Sequence, residues 1–299
     1  MKNHDRFWVR CAVVGAFALV FASAGCNAWR VMFPVQEYET DPPALPETVS
    51  ETEVLLFTKT NGFRHHEAID RGVPFFRELA DARGWGLFHT ENGAVHEEAL
   101  LQRFDVVVWF QTSGDTLNPD QKAALRRYIE GGGGFVAVHG AGGDPAYDWA
   151  WYVDELIGAQ FVGHTMSPQF QTATLIVRDP AHPATAQLPA RFEHTEEWYS
   201  FASNPEARGA RVLVAVDEST YTRELGWFGL IMDNTLEMGD HPIVWSHCPG
   251  EGRALFSALG HQAAAYDVPE QRALLEGAVA WAAGLHGREC EDTLAPDRG

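Results

Sequence analysis

Apolar positions in the first half of the chain fall into two alternating kinds of segment. Residues 53–60 (EVLLFTKT), 86–90, 105–110 (DVVVWF) and 135–139 are short, nearly unbroken apolar runs. Such runs suit strands buried on both faces of a parallel sheet. Between them the apolar positions recur at helical spacing. Residues 70–83 set Val73, Phe76, Leu79 and Ala80 on one face, residues 97–102 make a short helix, and Pro119 opens another at its first turn. The run Gly131–Gly134 closes that last helix. It precedes a strand and lacks the Lys–Ser/Thr that follows a phosphate-binding loop, so it reads as a helix stop.

Beyond residue 150 the rhythm changes. Residues 170–178 (FQTATLIVR) alternate as an antiparallel strand does, and residues 209–216 form another. Residues 242–247 and 253–259 flank Cys248-Pro-Gly-Glu-Gly252 and read as a hairpin, and residues 270–283 as a terminal helix. The alternation of strands and helices predicts an α/β fold with a doubly wound, mostly parallel sheet and antiparallel strands added in the C-terminal half.

The N-terminus stands apart from this pattern. Lys2, Arg6 and Arg10 precede a 12-residue apolar run, too short for a bilayer span of about 20 residues. Ser23-Ala24-Gly25-Cys26 then resembles a bacterial lipobox, with Ser23 where Leu is usual. Residues 1–25 are therefore expected to be a lipoprotein-type signal peptide. Cys26 is the expected lipidation site and the anchor to a membrane. Asn27 in place of Asp favours, by the same resemblance, the periplasmic side of a Gram-negative outer membrane. Residues 26–52, with Pro34, Pro42, Pro43 and Pro46, read as an extended tether, residues 53–284 as the domain, and residues 285–299 as a polar tail.

Composition narrows the partners. Removing the +2 of residues 1–25 takes the net charge from −19 to −21. So acidic a chain repels phosphate backbones, which argues against nucleic acid and is compatible with a neutral substrate such as a sugar. Cys248 and Cys290 are free to pair in an oxidising compartment, or to stay unpaired.

Thirteen histidines are present, and several close a strand or sit in glycine-flanked loops. His65 and His66 follow the first strand, His139 the fourth, His164 lies in Val-Gly-His-Thr and His261 in Leu-Gly-His-Gln. In a doubly wound sheet the loops at the strands' carboxyl edge border the ligand crevice. Imidazole serves there as acid, base or metal ligand. His89, His96, His194, His247 and His286 are read as structural or solvated, and His182 and His241 precede prolines that favour a structural role. Glu196-Glu197-Trp198-Tyr199 offers an acid–base or ligating carboxylate beside aromatic rings; strand alternation would turn one glutamate to water and the other inward. No Gly-x-Ser-x-Gly occurs, which argues against serine acyl transfer.

Six segments in order resemble the trehalose-utilisation (ThuA-like) family. They are Thr58-Lys-Thr-Asn-Gly-Phe-Arg-His65, Gly132-Gly-Gly-Phe-Val-Ala-Val-His139-Gly-Ala and Gly158-Ala-Gln-Phe-Val-Gly-His164, then His182-Pro-Ala-Thr-Ala-Gln-Leu, Glu196-Glu-Trp-Tyr-Ser-Phe201 and Pro242-Ile-Val-Trp with Gly250–His261. The resemblance implies the flavodoxin-like fold of the class I glutamine amidotransferase superfamily. It also implies carbohydrate catabolism through 3-keto sugars. In amidotransferases the turn after the fourth strand carries a cysteine nucleophile; here it carries His139, so glutamine hydrolysis is not implied. Two departures are Glu196, where the family's acidic pair usually begins with Asp, and the irregular stretch 220–238.

The expected enzyme is a keto-sugar or glycoside isomerase, lyase or hydrolase. His139, Glu197, His65 and His261 are the candidate catalytic residues. His164, Trp198, Tyr199 and Phe63 are the candidate substrate contacts. His65, His139, His164 and His261 are the candidate ligands of a divalent zinc, manganese or iron ion, a cofactor the sequence allows without requiring. The alternative is a non-catalytic, lipid-anchored sugar-binding protein presenting Trp149, Trp151, Trp198 and Tyr199. Oligomeric state is left open.

Overall fold

The computed structural model describes residues 30, 33, 35–47, 50–145, 147–223 and 236–286. The signal segment, Cys26, residues 224–235 of the irregular stretch, Cys290 and residues 287–299 lie outside the described residues. Among the described residues, no helix is long and apolar enough to cross a membrane.

The apolar runs become β1 (Glu53–Phe57), β2 (Gly86–Thr90), β3 (Val106–Phe110) and β4 (Gly134–Val138). A fifth parallel strand, β11 (Arg253–Ser257), completes the order β2-β1-β3-β4-β11. That order is the flavodoxin-like doubly wound arrangement. Beyond β11 the sheet continues antiparallel through β10 (His241–His247), β9 (Arg211–Val216), β6 (Gln171–Val177) and β7 (Arg191–Glu196). Three strands lack a clear signature in the sequence, β7, β5 (Phe161–His164) and β8 (Tyr199–Phe201), of which β5 and β8 pair as a separate ribbon.

The α-helices of the domain among the described residues are α1 (His66–Arg83), α2 (Glu98–Leu101), α3 (Pro119–Glu130) and α4 (Pro269–Ala282). Helix α1 begins four residues before the expected start at 70, and its first turn already buries Ala68 and Ile69. Helix α3 carries a reciprocal Asn118–Gln121 capping box and stops at Gly131, as the glycine run predicted. Adjacent residues of β3 show that helices cover both faces. Phe110 packs against Phe76 of α1 and Tyr266, whereas Trp109 turns to His96 and Tyr152 on the other side.

Residues 35–47 are extended but fastened to the domain. Glu39 accepts from Lys59 Nζ and the Gly93 N–H, and the Glu37 carbonyl accepts from Lys59 and Asn61 side chains. Asn61 opens the loop that leads to His65, so this segment braces one wall of the crevice. Cys248 is disulfide-bonded.

Candidate active site

The parallel strands end at one edge, and the chain leaves β3 and β4 there in the same unusual way. Gln111 and His139 follow these strands with φ of 57° and 47°, the left-handed region that non-glycine residues seldom occupy. Phe110 and Val138 are register partners, so the two kinks stand side by side. The kink turns the His139 ring under the crevice, where it is wholly buried.

Hydrogen bonds fix that ring. Its Nδ1 lies 2.6 Å from the Ala258 carbonyl, an acceptor only, so Nδ1 carries the proton. The other nitrogen, Nε2, is 2.9 Å from the Tyr199 hydroxyl, 3.1 Å from His261 Nδ1 and 3.7 Å from Glu197 Oε2. His261 Nδ1 is in turn 2.9 Å from Glu197 Oε2. His139, His261 and Glu197 thus bring three potential ligand atoms together at mutual separations of 2.9, 3.1 and 3.7 Å. His65 joins them from the loop after β1, its ring centroid 4.9 Å from that of His139 and 4.5 Å from that of His261. One donor atom from each of the four falls within 4.8 Å of all the others. The buried His65 Nδ1 has no hydrogen-bond partner.

Close approach of these loops depends on Gly140, which follows His139. A Cβ there would lie 3.0 Å from Gln111 Oε1 and 3.1 Å from His65 Nδ1.

Both glutamates of the acidic pair are buried, which corrects the alternation expected of them. Strand β7 ends at Glu196 and β8 begins at Tyr199, so the pleat is interrupted between the two carboxylates. Their tasks differ. Glu196 accepts from the backbone N–H groups of Gly260 and His261 and from Glu197 N–H, which makes it a loop-holding residue. Glu197 faces the histidines: besides His139 and His261, His164 Nδ1 is 3.1 Å from its Oε1, and Gln169 Nε2 donates to the same oxygen.

Electrostatics follow from this geometry. Burial opposes ionisation of Glu197, yet the imidazoles of His139 and His261 outweigh it and hold the carboxyl far below the usual carboxylate range. Burial likewise opposes charge on His139, and the Glu197 and Glu196 carboxylates reverse it, raising its pKa. His65 is held well below the ordinary histidine value, chiefly by burial and then by its histidine neighbours. His65, held neutral, is ready to ligate, whereas His139, favoured in its charged form by the two carboxylates, would release its Nε2 proton on binding a metal.

The other expected residues divide. His164 reaches the crevice, with 22% of its side chain exposed, as does His261 with 17%. Phe63 is exposed at the rim, its ring 4.7 Å from that of His65, and Phe170, unforeseen, sits 4.9 Å from that of His261. Trp198 is buried with its Nε1 donating to the Gln171 carbonyl, and Tyr199 is buried behind His139, their rings stacked at 4.3 Å. Neither presents an open face to a sugar. Trp149 and Trp151 pack on each other, and Trp151 Nε1 donates to Glu130 at the end of α3. His66 is exposed on the first turn of α1.

The donor set suits a divalent ion. Ligands about 2.0–2.2 Å from a tetrahedral zinc-like centre stand roughly 3.3–3.6 Å apart, close to the separations found here. Three imidazoles and a carboxylate are ligands that zinc, manganese and iron all accept. The Nδ1–H of His139 bound to a carbonyl is the outer hydrogen bond that ligating histidines commonly make.

A family model described as trehalose utilisation (ThuA) matches residues 53–282. Among solved structures, a ThuA-like protein from Bacteroides uniformis is 24% identical, with a TM-score of 0.67 over 81% of this chain and 95% of its own. A second, from Parabacteroides merdae, is 18% identical, with a TM-score of 0.57 over 78% of this chain and 90% of that one. A cytoplasmic protein from Salmonella typhimurium is 11% identical, with a TM-score of 0.51 over 77% and 98%. No curated protein matches. The structural likenesses show the fold, and the family model covers the whole span from β1 to α4.

Proposed function

Because this chain belongs to the ThuA, or trehalose-utilisation, family, we propose that it acts on a keto-sugar or glycoside in the crevice above His139. The observation that carries this reading is the triangle of His139, His261 and Glu197, with His65 as an unpartnered fourth donor. His65, His139, Glu197 and His261 are the residues that would hold a divalent ion. Such an ion, when bound, supplies Lewis-acid stabilisation for negative charge developing on the substrate.

The chain's own groups do the rest. A ring carbonyl acidifies the neighbouring C–H, and a base nearby forms the enediolate. We assign this step to His164. Its Nδ1 faces two acceptors, Glu197 Oε1 at 3.1 Å and the Thr165 carbonyl at 3.0 Å, so Nδ1 carries the proton and Nε2 keeps its lone pair. Glu197 fixes that tautomer, as the carboxylate of a carboxylate–histidine pair does. Returning the proton to a different atom isomerises the sugar, and returning it to a glycosidic oxygen eliminates the aglycone. Phe63 and Phe170 give the rim apolar surface for a sugar face.

Incubation with zinc, manganese or iron(II) and a panel of 3-keto-glycosides, followed by NMR, tests the proposal. Product is expected from the wild type and none from His139→Ala, with far-UV circular dichroism unchanged. Unaltered turnover by His139→Ala contradicts the assignment. Tight binding without conversion across the panel favours a non-catalytic sugar-binding protein.

We further propose that the chain is exported and lipid-anchored through Cys26, on the strength of its basic start, apolar run and small residues before that cysteine. Palmitate labelling of the wild type and not of Cys26→Ala is expected; equal labelling contradicts it.

A further inference from the structure

Two of the site histidines lie just beyond the ends of adjacent parallel strands, His139 opening the short 3-10 turn His139–Gly142. His139 is on the turn after β4, and His261 on the loop after β11. One side chain touches both. Gln111, buried and kinked at the end of β3, accepts from the Gly140 N–H at 3.2 Å through Oε1. Through Nε2 it donates to the Gly260 carbonyl at 2.7 Å and reaches the Tyr266 hydroxyl at 3.1 Å. Tyr266 adds its own bond to the Gly260 carbonyl at 2.7 Å. The opposite side of that peptide unit is taken by Glu196, which accepts the Gly260 and His261 N–H groups.

We propose that Gln111 is a positioning residue of this site: its amide ties the His139 turn to the His261 loop and so sets the separation of their ring nitrogens. It rests on the reading of His139 and His261 as a working pair. Three observations independent of that reading converge on it. Gln111 holds a left-handed backbone conformation that is costly in a residue of its kind, strain that the surrounding bonds must offset. Gly140 leaves the amide room, since a Cβ there would crowd Gln111 Oε1. Gly260, at φ 119°, lets the loop pass Tyr266, whose hydroxyl would stand 2.4 Å from a Cβ. An amide is the side chain this bridge needs, because it must accept on one side and donate on the other.

Gln111→Met keeps the length and removes both bonds. Gln111→Glu keeps the acceptor for Gly140 but sets an oxygen against the Gly260 carbonyl. Cobalt(II) serves as the probe. Both variants are expected to bind it about 10–100-fold more weakly than the wild type, as loss of an outer-shell partner does, and to change its visible ligand-field spectrum. Far-UV circular dichroism should stay native, and Gln111→Glu carries the test should Gln111→Met fail to fold. Wild-type affinity and spectrum in a folded variant overturn the proposal. If the wild type itself takes up no cobalt, the metal reading fails, and ring ¹⁵N shifts of His139 and His261 decide the brace: displaced shifts in the variants support it, and unchanged shifts overturn it.

Discussion

Glu197 is the residue on which the site's charge turns. It lies within 3.7 Å of three histidines. Glu197→Gln keeps the shape and removes the charge, so retention of a divalent ion should be lost on dialysis, as read by elemental analysis. A second residue tests the electrostatics well away from the site. His96 is wholly buried, with Nδ1 3.1 Å from the Gly93 carbonyl and Nε2 accepting from Trp109 Nε1 at 3.0 Å. A second ring proton would face the Trp109 N–H, and burial chiefly holds its pKa at about 3. The unfolded chain protonates this residue near the ordinary histidine value while the folded chain does not. Stability therefore falls as pH drops below that value, by about 2 kcal/mol at pH 5 from this group alone. Urea midpoints from pH 7 to 5 should show a shallower decline in His96→Gln than in the wild type; parallel declines contradict it. Sequence pattern located the histidines of the crevice because each follows a strand directly or lies in a glycine-containing loop. It missed Gln111 and the distinct tasks of Glu196 and Glu197. Gln111 does not titrate, although it follows the β3 run as His139 follows β4. That shared position was the available signal.

At the scale of elements, the parallel half was legible and the antiparallel half less so, for one physical reason. Strands β1, β3 and β4 are buried on both sides and read as apolar runs. Strand β7 (RFEHTE) turns His194 and Glu196 inward, so polar groups occupy positions where alternation would be read as apolar. The four-residue β5 contains a glycine at φ 157°, and its pairing with β8 is irregular. These unread strands are the ones that deliver His164 and the acidic pair, so local pattern fails where the fold serves the site. Packing of α1 on β3 gives a prediction at this scale. A Cβ on Gly72 would stand 2.2 Å from the Phe110 ring. Gly72→Ala improves helix propensity by up to about 1 kcal/mol, but overpacking of about 1–3 kcal/mol opposes it. A lower urea midpoint is expected, and a higher one would show that α1 shifts freely.

At the scale of the whole molecule, one doubly wound sheet brings residues some 200 positions apart in sequence to a single edge. His65, His139, Glu197 and His261 come from four separate connections, so no short motif could contain the site. The same layout links the site to global stability. A ligand that binds only the folded chain adds about 2.7 kcal/mol at a free concentration a hundred times its Kd. Zinc or manganese is therefore expected to raise the melting temperature, and a chelator to reverse it, in the wild type and not in His139→Ala. The most direct measurement is metal content, by elemental analysis, of the chain purified without a histidine tag. About one equivalent of zinc, manganese or iron per chain is expected, lost in His139→Ala. Absence of stoichiometric metal, both as isolated and after equilibration with each of these ions, would contradict that expectation.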